Sequence, residues 1–276
     1  MMSAAAISPF VYEAHQSVAV PLCPLCRRAN ASTPATDRYG FLVGTSMCAC
    51  GFAYLNPQLS ASGYLDFYAN AYRPLINEMR RKHGLSPLVF GNEEGATMRG
   101  LLIAHEAARL WPVRPVSVLD VGGSAGALLT VIARVWTPLS VTVLDPNPDE
   151  LAQAAKRGYQ TILGTAESRP ALPRHDVIVC AETLDHVHDP LAVLTWMHDA
   201  LAPGGWAFMD IVDASRFARL CAVSGPYAWK LDHPCYWCPK NLKAALLITG
   251  WRIKAQARYG DGGYHYAVWC ESASSR

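Results

Sequence analysis

Residues 118–129 read VLDVGGSAGALL, an apolar run, an acidic residue, a glycine cluster and a second apolar run. That order predicts a strand, a tight turn and the start of a helix. Glycine at such a turn lets the backbone approach a ligand closely, and the helix start offers unpaired N–H groups. The spacing Gly122, Gly123 and Gly126, with Ser124 between, departs from the G-x-G-x-x-G of dinucleotide sites. Asp120, just before the turn, repels a pyrophosphate and welcomes an ammonium group. Asp145 ends the next apolar run, where a carboxylate accepts hydrogen bonds from both ribose hydroxyls. Together these residues describe a site for a nucleoside with an amino-acid tail.

A second group of residues suits a metal. CPLC sets Cys23 and Cys26 two residues apart, and CACG sets Cys48 and Cys50 as C-x-C. Four thiolates in two close pairs surround Zn²⁺ tetrahedrally, and a closed site of this kind has a structural role. The second pair departs from the usual C-x2-C, with Met47 where the first cysteine would stand. Cys235 and Cys238 make a further C-x2-C with no second pair nearby, and read as ordinary thiols.

The elements that position these groups fall into three parts. Residues 1–60 hold a tail and the four-cysteine module, with few periodic segments. Residues 61–114 predict a helical lid or linker. SGYLDFYANAY sets Tyr64, Leu65, Tyr68 and Tyr72 on one side, and ATMRGLLIAHEAARLW repeats a helical spacing after a loop at GLSPLVFGNEEG. Over 115–276 short apolar strands alternate with helices, among them AGALLTVIARVW and DPLAVLTWMHDAL, the latter ended by Pro203-Gly204-Gly205. The last two runs, WRIKAQARY and YHYAVWC, flank GDGG as a hairpin. Alternation of this kind means an α/β fold, a parallel sheet covered on both faces, with the hairpin adding an antiparallel strand.

Composition narrows the function classes. Of 276 residues, 51% are hydrophobic and 17% charged, the balance of a globular protein. The net charge is +2, and no basic run exceeds Arg80-Arg81-Lys82, so nothing demands a nucleic-acid or membrane partner. No stretch is long and apolar enough to predict a transmembrane helix. MMSAAAISPFVYEAHQ lacks a basic start and is interrupted by Pro9 and Glu13, unlike a signal peptide. With nine cysteines, the expectation is a cytoplasmic protein with reduced thiols.

Residues 116–270 resemble the class I S-adenosylmethionine-dependent methyltransferases. VLDVGGSAG resembles the first motif of that family, VTVLDPNPDEL the second, and HDVIVCAETLDHVHDPLAVLTWMHDALAPGGWAFMDI the stretch from strand 4 to strand 5. The resemblance implies a Rossmann-like seven-stranded sheet with an antiparallel C-terminal hairpin, and S-adenosylmethionine as cofactor. It assigns Gly122, Gly123, Ser124 and Gly126 to the methionine part, and Asp120 to its amino group. It assigns Asp145 to the ribose, Pro146, Thr165 and Ala166 to the adenine, and Glu182 and Thr183 to the cleft near the sulfonium. Ser124 stands where the family usually has glycine.

The front of the chain, CPLC…CACGFAYLNPQLSASGYLDFYANAYR, is similar to a leader found in a subset of these enzymes, in which a zinc knuckle precedes the catalytic domain. That subset implies a small acceptor, such as a sugar, a nucleotide sugar or another polysaccharide or natural-product intermediate. Longer sugar C-methyltransferases carry a C-terminal domain that this sequence lacks. Methyl transfer requires an aligned acceptor and, where it holds a proton, a base. LDHVHDP offers His186 at the cleft edge, with His188 expected to be exposed. WKLDHPCYWCPK, which in this fold roofs the acceptor site, offers His233 and Tyr236, with Asp232 fixing the imidazole tautomer. Tyr68, Tyr72 and Arg73 are candidates for the lid. Two rival readings are a ribosomal-RNA guanine methyltransferase with a zinc module, which the low basic charge disfavours, and a cofactor-binding protein without activity.

Overall fold

The computed structural model describes residues 17–82, 84–87, 96–113, 115–137, 140–216 and 229–273. The expected N-terminal tail and most of the loop before residue 96 lie outside the described residues. β1 (Ser17–Val18) pairs with β5 (Gln58–Leu59). Between them, β2 (Thr33–Thr36), β3 (Leu42–Met47) and β4 (Ala53–Leu55) form an antiparallel meander. The cysteine module is therefore built on a sheet, where the sequence suggested few periodic segments. Its strands are three to six residues long, too short for alternation to stand out.

α1 (Ala61–Asp66), a π turn at Phe67–Ala71 and α2 (Tyr72–Lys82) follow one another without a break. Ser60 caps α1 by accepting from the Gly63 N–H at 3.1 Å. The π turn adds a residue to one turn and rotates the helix face. Tyr64, Phe67, Ala71 and Ile76 are buried, whereas Leu65, expected on the inner side, is 48% exposed. α3 (Ala96–Leu110) packs closely on α4 (Ala127–Ile132), which is shorter than the sequence suggested. A Cβ on Gly100 would lie 2.7 Å from Val131 Cγ1, so only glycine allows this approach.

The main sheet joins β6 (Ser117–Val121), β7 (Ser140–Asp145), β8 (Gln160–Leu163), β9 (His175–Cys180) and β10 (Leu201–Val212) in parallel. α5 (Pro148–Lys156) and α6 (Pro190–Asp199) cross between them. α6 stops before the Pro203-Gly204-Gly205 turn, which forms a bulge at the start of β10 instead. β11 (Cys235–Tyr236) leaves this sheet and adds to the free edge of β4. After α7 (Pro239–Ile248), the hairpin of β12 (Trp251–Tyr259) and β13 (His265–Ser272) returns to the main sheet. The seven-stranded order is β12-β13-β10-β9-β6-β7-β8, with β13 antiparallel to both neighbours.

Both faces of the sheet are buried, which explains near-continuous apolar strands rather than alternation. Val118, Val177 and Phe208 pack with α3, α4 and α5 on one face. Leu119, Ile178 and Met209 pack with α6 and α7 on the other, where Cys23, Cys48, Phe52 and Tyr54 of the N-terminal sheet join the same core. Among the described residues no helix is long and apolar enough to cross a membrane.

Candidate active site

Strand order reverses between β6 and β9, and ligands of open α/β sheets bind beyond the strand ends at such a point. A cleft of about 780 Å³ opens there, within the range of small-molecule sites. At its β6 end the turn is sterically saturated. A Cβ on Gly122 would lie 2.3 Å from Thr183 Oγ1, and one on Gly123 would lie 2.5 Å from the Asp120 carboxylate. Gly122 and Ser124 both take left-handed backbone, with φ of 71° and 51°. Thr183 fixes its own hydroxyl by donating to the Val121 carbonyl at 2.9 Å.

Asp145, at the end of β7, is buried. Its Oδ2 accepts from the Ser124 N–H at 2.9 Å and its Oδ1 from the Asn147 N–H at 2.8 Å. Burial pushes its carboxyl up, and these two N–H groups pull it back. Each oxygen keeps a lone pair for a further donor, so the carboxylate suits a diol. The glycine cradle and the two buried acids at the strand ends fit a nucleoside with an amino-acid tail. Pro146, Thr165, Ala166 and Glu182 line the same cleft. Gly126 does not line it. That residue starts α4 with φ of 73°, and a Cβ there would strike the Tyr159 ring at 2.8 Å.

Two charged chains hold this end together. The Ser124 hydroxyl donates to Glu150 Oε2 at 2.8 Å, and Arg73 of α2 pairs with the other oxygen of the same carboxylate. The serine at a usual glycine position thus links the turn to the lid. Arg99 of α3 lies 2.7 Å from Glu182 Oε2 and 3.2 Å from Asp210 Oδ2, and donates to the Tyr259 hydroxyl at 2.7 Å. Burial alone would raise the Glu182 carboxyl. Arg99, and then His265, hold it below the usual carboxylate range.

The other end of the cleft gathers His186, Asp232, His233 and Lys230, with the imidazole rings of His186 and His233 4.2 Å apart. His186 Nδ1 lies 2.8 Å from the Asp232 carbonyl, which only accepts, so Nδ1 bears the proton. The Tyr68 oxygen lies 2.6 Å from the same atom, and the Tyr64 hydroxyl donates to the Asp232 carbonyl. His233 Nε2 lies 3.1 Å from Lys230 Nζ, whereas the Asp232 carboxylate stands 3.9 Å from both imidazoles, beyond hydrogen-bond reach. The expected role of Asp232 is thereby corrected: Lys230 orients His233, and the Asp232 main chain orients His186.

Burial, then Lys230, His186 and Arg38, push His233 well below its ordinary value. Burial, aided by Arg38, brings Lys230 down to about 8. Asp185 lines the cleft beside them and burial pushes it up to about 8. His186, Asp232 and His233 have metal-ligand spacing, yet the Lys230 ammonium faces the His233 lone pair and opposes a cation there.

Tyr236 does not line the cleft. Its hydroxyl accepts the Lys230 N–H at 2.7 Å and donates to the Lys230 carbonyl at 3.2 Å, closing the 230–236 loop on itself. His188, expected in solvent, is half-buried: its Nε2–H donates to the Leu59 carbonyl at 2.9 Å, and Tyr64 stacks edge-on at 4.8 Å. The sequence reading missed Lys230, Arg38, Arg99, Glu150 and Asp185. Lys230 alone had a local signal, two positions before Asp232 in the roofing segment.

The four N-terminal cysteines converge. Cys23 and Cys50 sulfurs are 3.8 Å apart and those of Cys26 and Cys48 are 3.3 Å apart. A tetrahedral Zn–S length of about 2.3 Å gives sulfur–sulfur edges of about 3.8 Å. Each pair sits on a hydrogen-bonded turn that closes just past its second cysteine. The Arg27 N–H donates to the Cys23 carbonyl and the Gly51 N–H to the Cys48 carbonyl, and both donors have positive φ.

A family model described as "Methyltransferase domain" matches residues 96–256. A ubiquinone biosynthesis O-methyltransferase of Paracidovorax citrulli (strain AAC00-1) is 27% identical over 164 residues, covering 57% of this chain and 63% of that protein. A trans-aconitate 2-methyltransferase of Mycobacterium sp. (strain KMS) is 32% identical over 124 residues, covering 45% and 47%. The chain thus spans less than two thirds of the length of these relatives. Among solved structures, the plantazolicin methyltransferase BamL, in complex with a triazolic desmethylPZN analog and SAH, superposes with a TM-score of 0.58 at 12% identity, covering 76% of this chain and 94% of that one. The magnesium protoporphyrin IX methyltransferase ChlM of Synechocystis PCC 6803, with SAH bound, gives 0.57 at 12% identity, covering 76% and 99%. The strand order, the glycine turn and the domain match agree: this chain belongs to the methyltransferase-domain family, within the class I S-adenosylmethionine-dependent methyltransferases.

Proposed function

We propose that this chain methylates a small hydroxylated acceptor, of the sugar, nucleotide-sugar or natural-product class, using S-adenosylmethionine. One observation carries the reading: a single cleft joins the Asp120–Asp145 end to the His186–His233 end. The two named relatives support a small acceptor rather than a nucleic acid. S-adenosylmethionine would supply a methyl group on a sulfonium, already a good leaving group. Asp145 would take the ribose, Asp120 the amino group, and the glycine turn the methionine backbone. His233, neutral in its buried site, would accept the acceptor's proton at Nε2. His186, fixed by the Asp232 carbonyl, would orient the acceptor. Cys23, Cys26, Cys48 and Cys50 would hold one structural zinc ion and brace the roof.

The test is calorimetry with S-adenosylhomocysteine, followed by mass spectrometry of an acceptor panel led by nucleotide sugars. Wild type should bind S-adenosylhomocysteine, and Asp145→Ala should weaken binding by about tenfold or more, the loss of charge-assisted hydrogen bonds. Equal binding by the variant would refute the assignment of the ribose. Binding with no methylated product from any acceptor would favour the inactive reading.

A further inference from the structure

Arg38 and Lys230 reach the acceptor end of the cleft from opposite ends of the sequence. Arg38 sits in the turn between β2 and β3, and Lys230 in the segment before β11. The fold fastens these two segments through groups other than their charges. The Arg38 N–H donates to the Trp229 carbonyl at 3.0 Å. The Leu231 N–H donates to Asp37 Oδ2 at 2.9 Å, while Asp37 Oδ1 accepts from the N–H groups of Tyr39 and Phe41. Asp37 is 4% exposed, and among the described residues its carboxylate forms no ion pair with Arg38 or Lys230.

The two cations differ from the others lining the cleft. Arg73 is paired with Glu150, and Arg99 with Glu182 and Asp210. Among the described residues, Arg38 and Lys230 form no ion pair with a carboxylate. The Nε of Arg38 is buried without a hydrogen-bond partner, and among the described residues the side-chain hydrogen-bond contact of the Lys230 ammonium is with the His233 lone pair. Residues 217–228, which lead into Lys230, contain no Asp or Glu. Asp232, Asp185 and Glu182 favour the Lys230 charge at longer range, yet none pairs with it among the described residues: Glu182 is held by Arg99, the Asp232 carboxylate faces His186 and His233, and burial pushes Asp185 up to about 8. Two like charges set side by side in a half-buried cleft repel each other, and an anion between them relieves that repulsion.

We propose that Arg38 and Lys230 clamp an anionic group, a carboxylate or a phosphate, on the molecule that is methylated. The proposal rests on reading this end of the cleft as the acceptor site. Arg38 offers a planar fork that matches either anion, and Lys230 a point charge. An anion there also draws the ammonium away from His233 Nε2. Arrival of the correct acceptor thus frees the lone pair that takes its proton, and an uncharged analogue leaves that lone pair engaged.

The test is thermal unfolding of the full chain in inorganic phosphate, in succinate and in chloride at matched ionic strength, each with and without saturating S-adenosylhomocysteine. Phosphate or succinate should raise the unfolding midpoint of wild type above that in chloride. The rise should vanish in Arg38→Gln and in Lys230→Gln, and be partly kept in Arg38→Lys, with S-adenosylhomocysteine affinity unchanged in all three. A rise with phosphate alone identifies a phosphate acceptor, and one with succinate alone a carboxylate acceptor. A wild type that responds to neither anion, or variants that respond as wild type does, would overturn the clamp. Failure of wild type to bind S-adenosylhomocysteine would instead sink the methyltransferase reading, while the arms without that ligand still report on the clamp.

Discussion

His233 meets an ammonium group where the roofing segment suggested a carboxylate partner. That difference sets the pH behaviour. Burial and the neighbouring Lys230 lower the pKa of His233, so the lone pair survives as pH falls below the ordinary histidine value of about 6.5. The acid limb of kcat/KM, which reports the free enzyme, should therefore lie below that value, and a limb at or above it would exclude His233 as the base. His233→Gln should lower kcat by about 10²- to 10⁴-fold with S-adenosylhomocysteine affinity unchanged, as measured by steady-state kinetics and calorimetry. The placement of Asp120, Gly122, Gly123 and Asp145 in the cleft was legible because it follows from a strand end and a turn, both local in sequence. Arg38 and Lys230 were not, since a charge becomes informative only when its lack of a partner is seen. Tyr236 misled because a buried hydroxyl can be satisfied by the main chain of its own loop.

At the scale of elements, α3 adds one buried charged side chain to its apolar packing on the sheet. Arg99 is 7% exposed and spans Asp210 of β10, Glu182 after β9 and Tyr259 of β12. Removing one partner of a buried pair leaves the other charge stranded, so Arg99→Met should cost about 3–5 kcal/mol. Urea unfolding measures this, and a loss below about 1 kcal/mol would show that Asp210 finds water or another donor. The main sheet was legible because buried parallel strands announce themselves as apolar runs. The N-terminal strands were hidden by their length. The π turn was hidden because it changes which residues face inward without changing composition.

For the whole molecule, the cysteine module and the roofing segment are one structure. β4 pairs with β11, the Gln58 side chain donates to the Pro234 carbonyl, and the Asn241 side chain donates to the Cys50 carbonyl. Phe52 packs edge-on against Trp237 with ring centres 4.9 Å apart. Loss of the zinc ion proposed for the four cysteines should therefore damage the His186–His233 end of the cleft more than the Asp120–Asp145 end. Treatment with a thiol-reactive mercurial should release one zinc per chain and abolish turnover, with S-adenosylhomocysteine affinity largely retained. Parallel loss of both functions would mean that the module braces the entire cleft. The pairing of β4 with β11 also has a consequence for synthesis. Gln58 and its acceptor Pro234 are 176 positions apart, so the N-terminal sheet leaves the ribosome with an open edge and waits for nearly the whole methyltransferase domain. Contacts of such long sequence separation form late. The nascent chain thus cannot close this edge until residue 236 has been made, whereas β6, β7 and β9, which carry the glycine turn and Asp145, pair over far shorter separations.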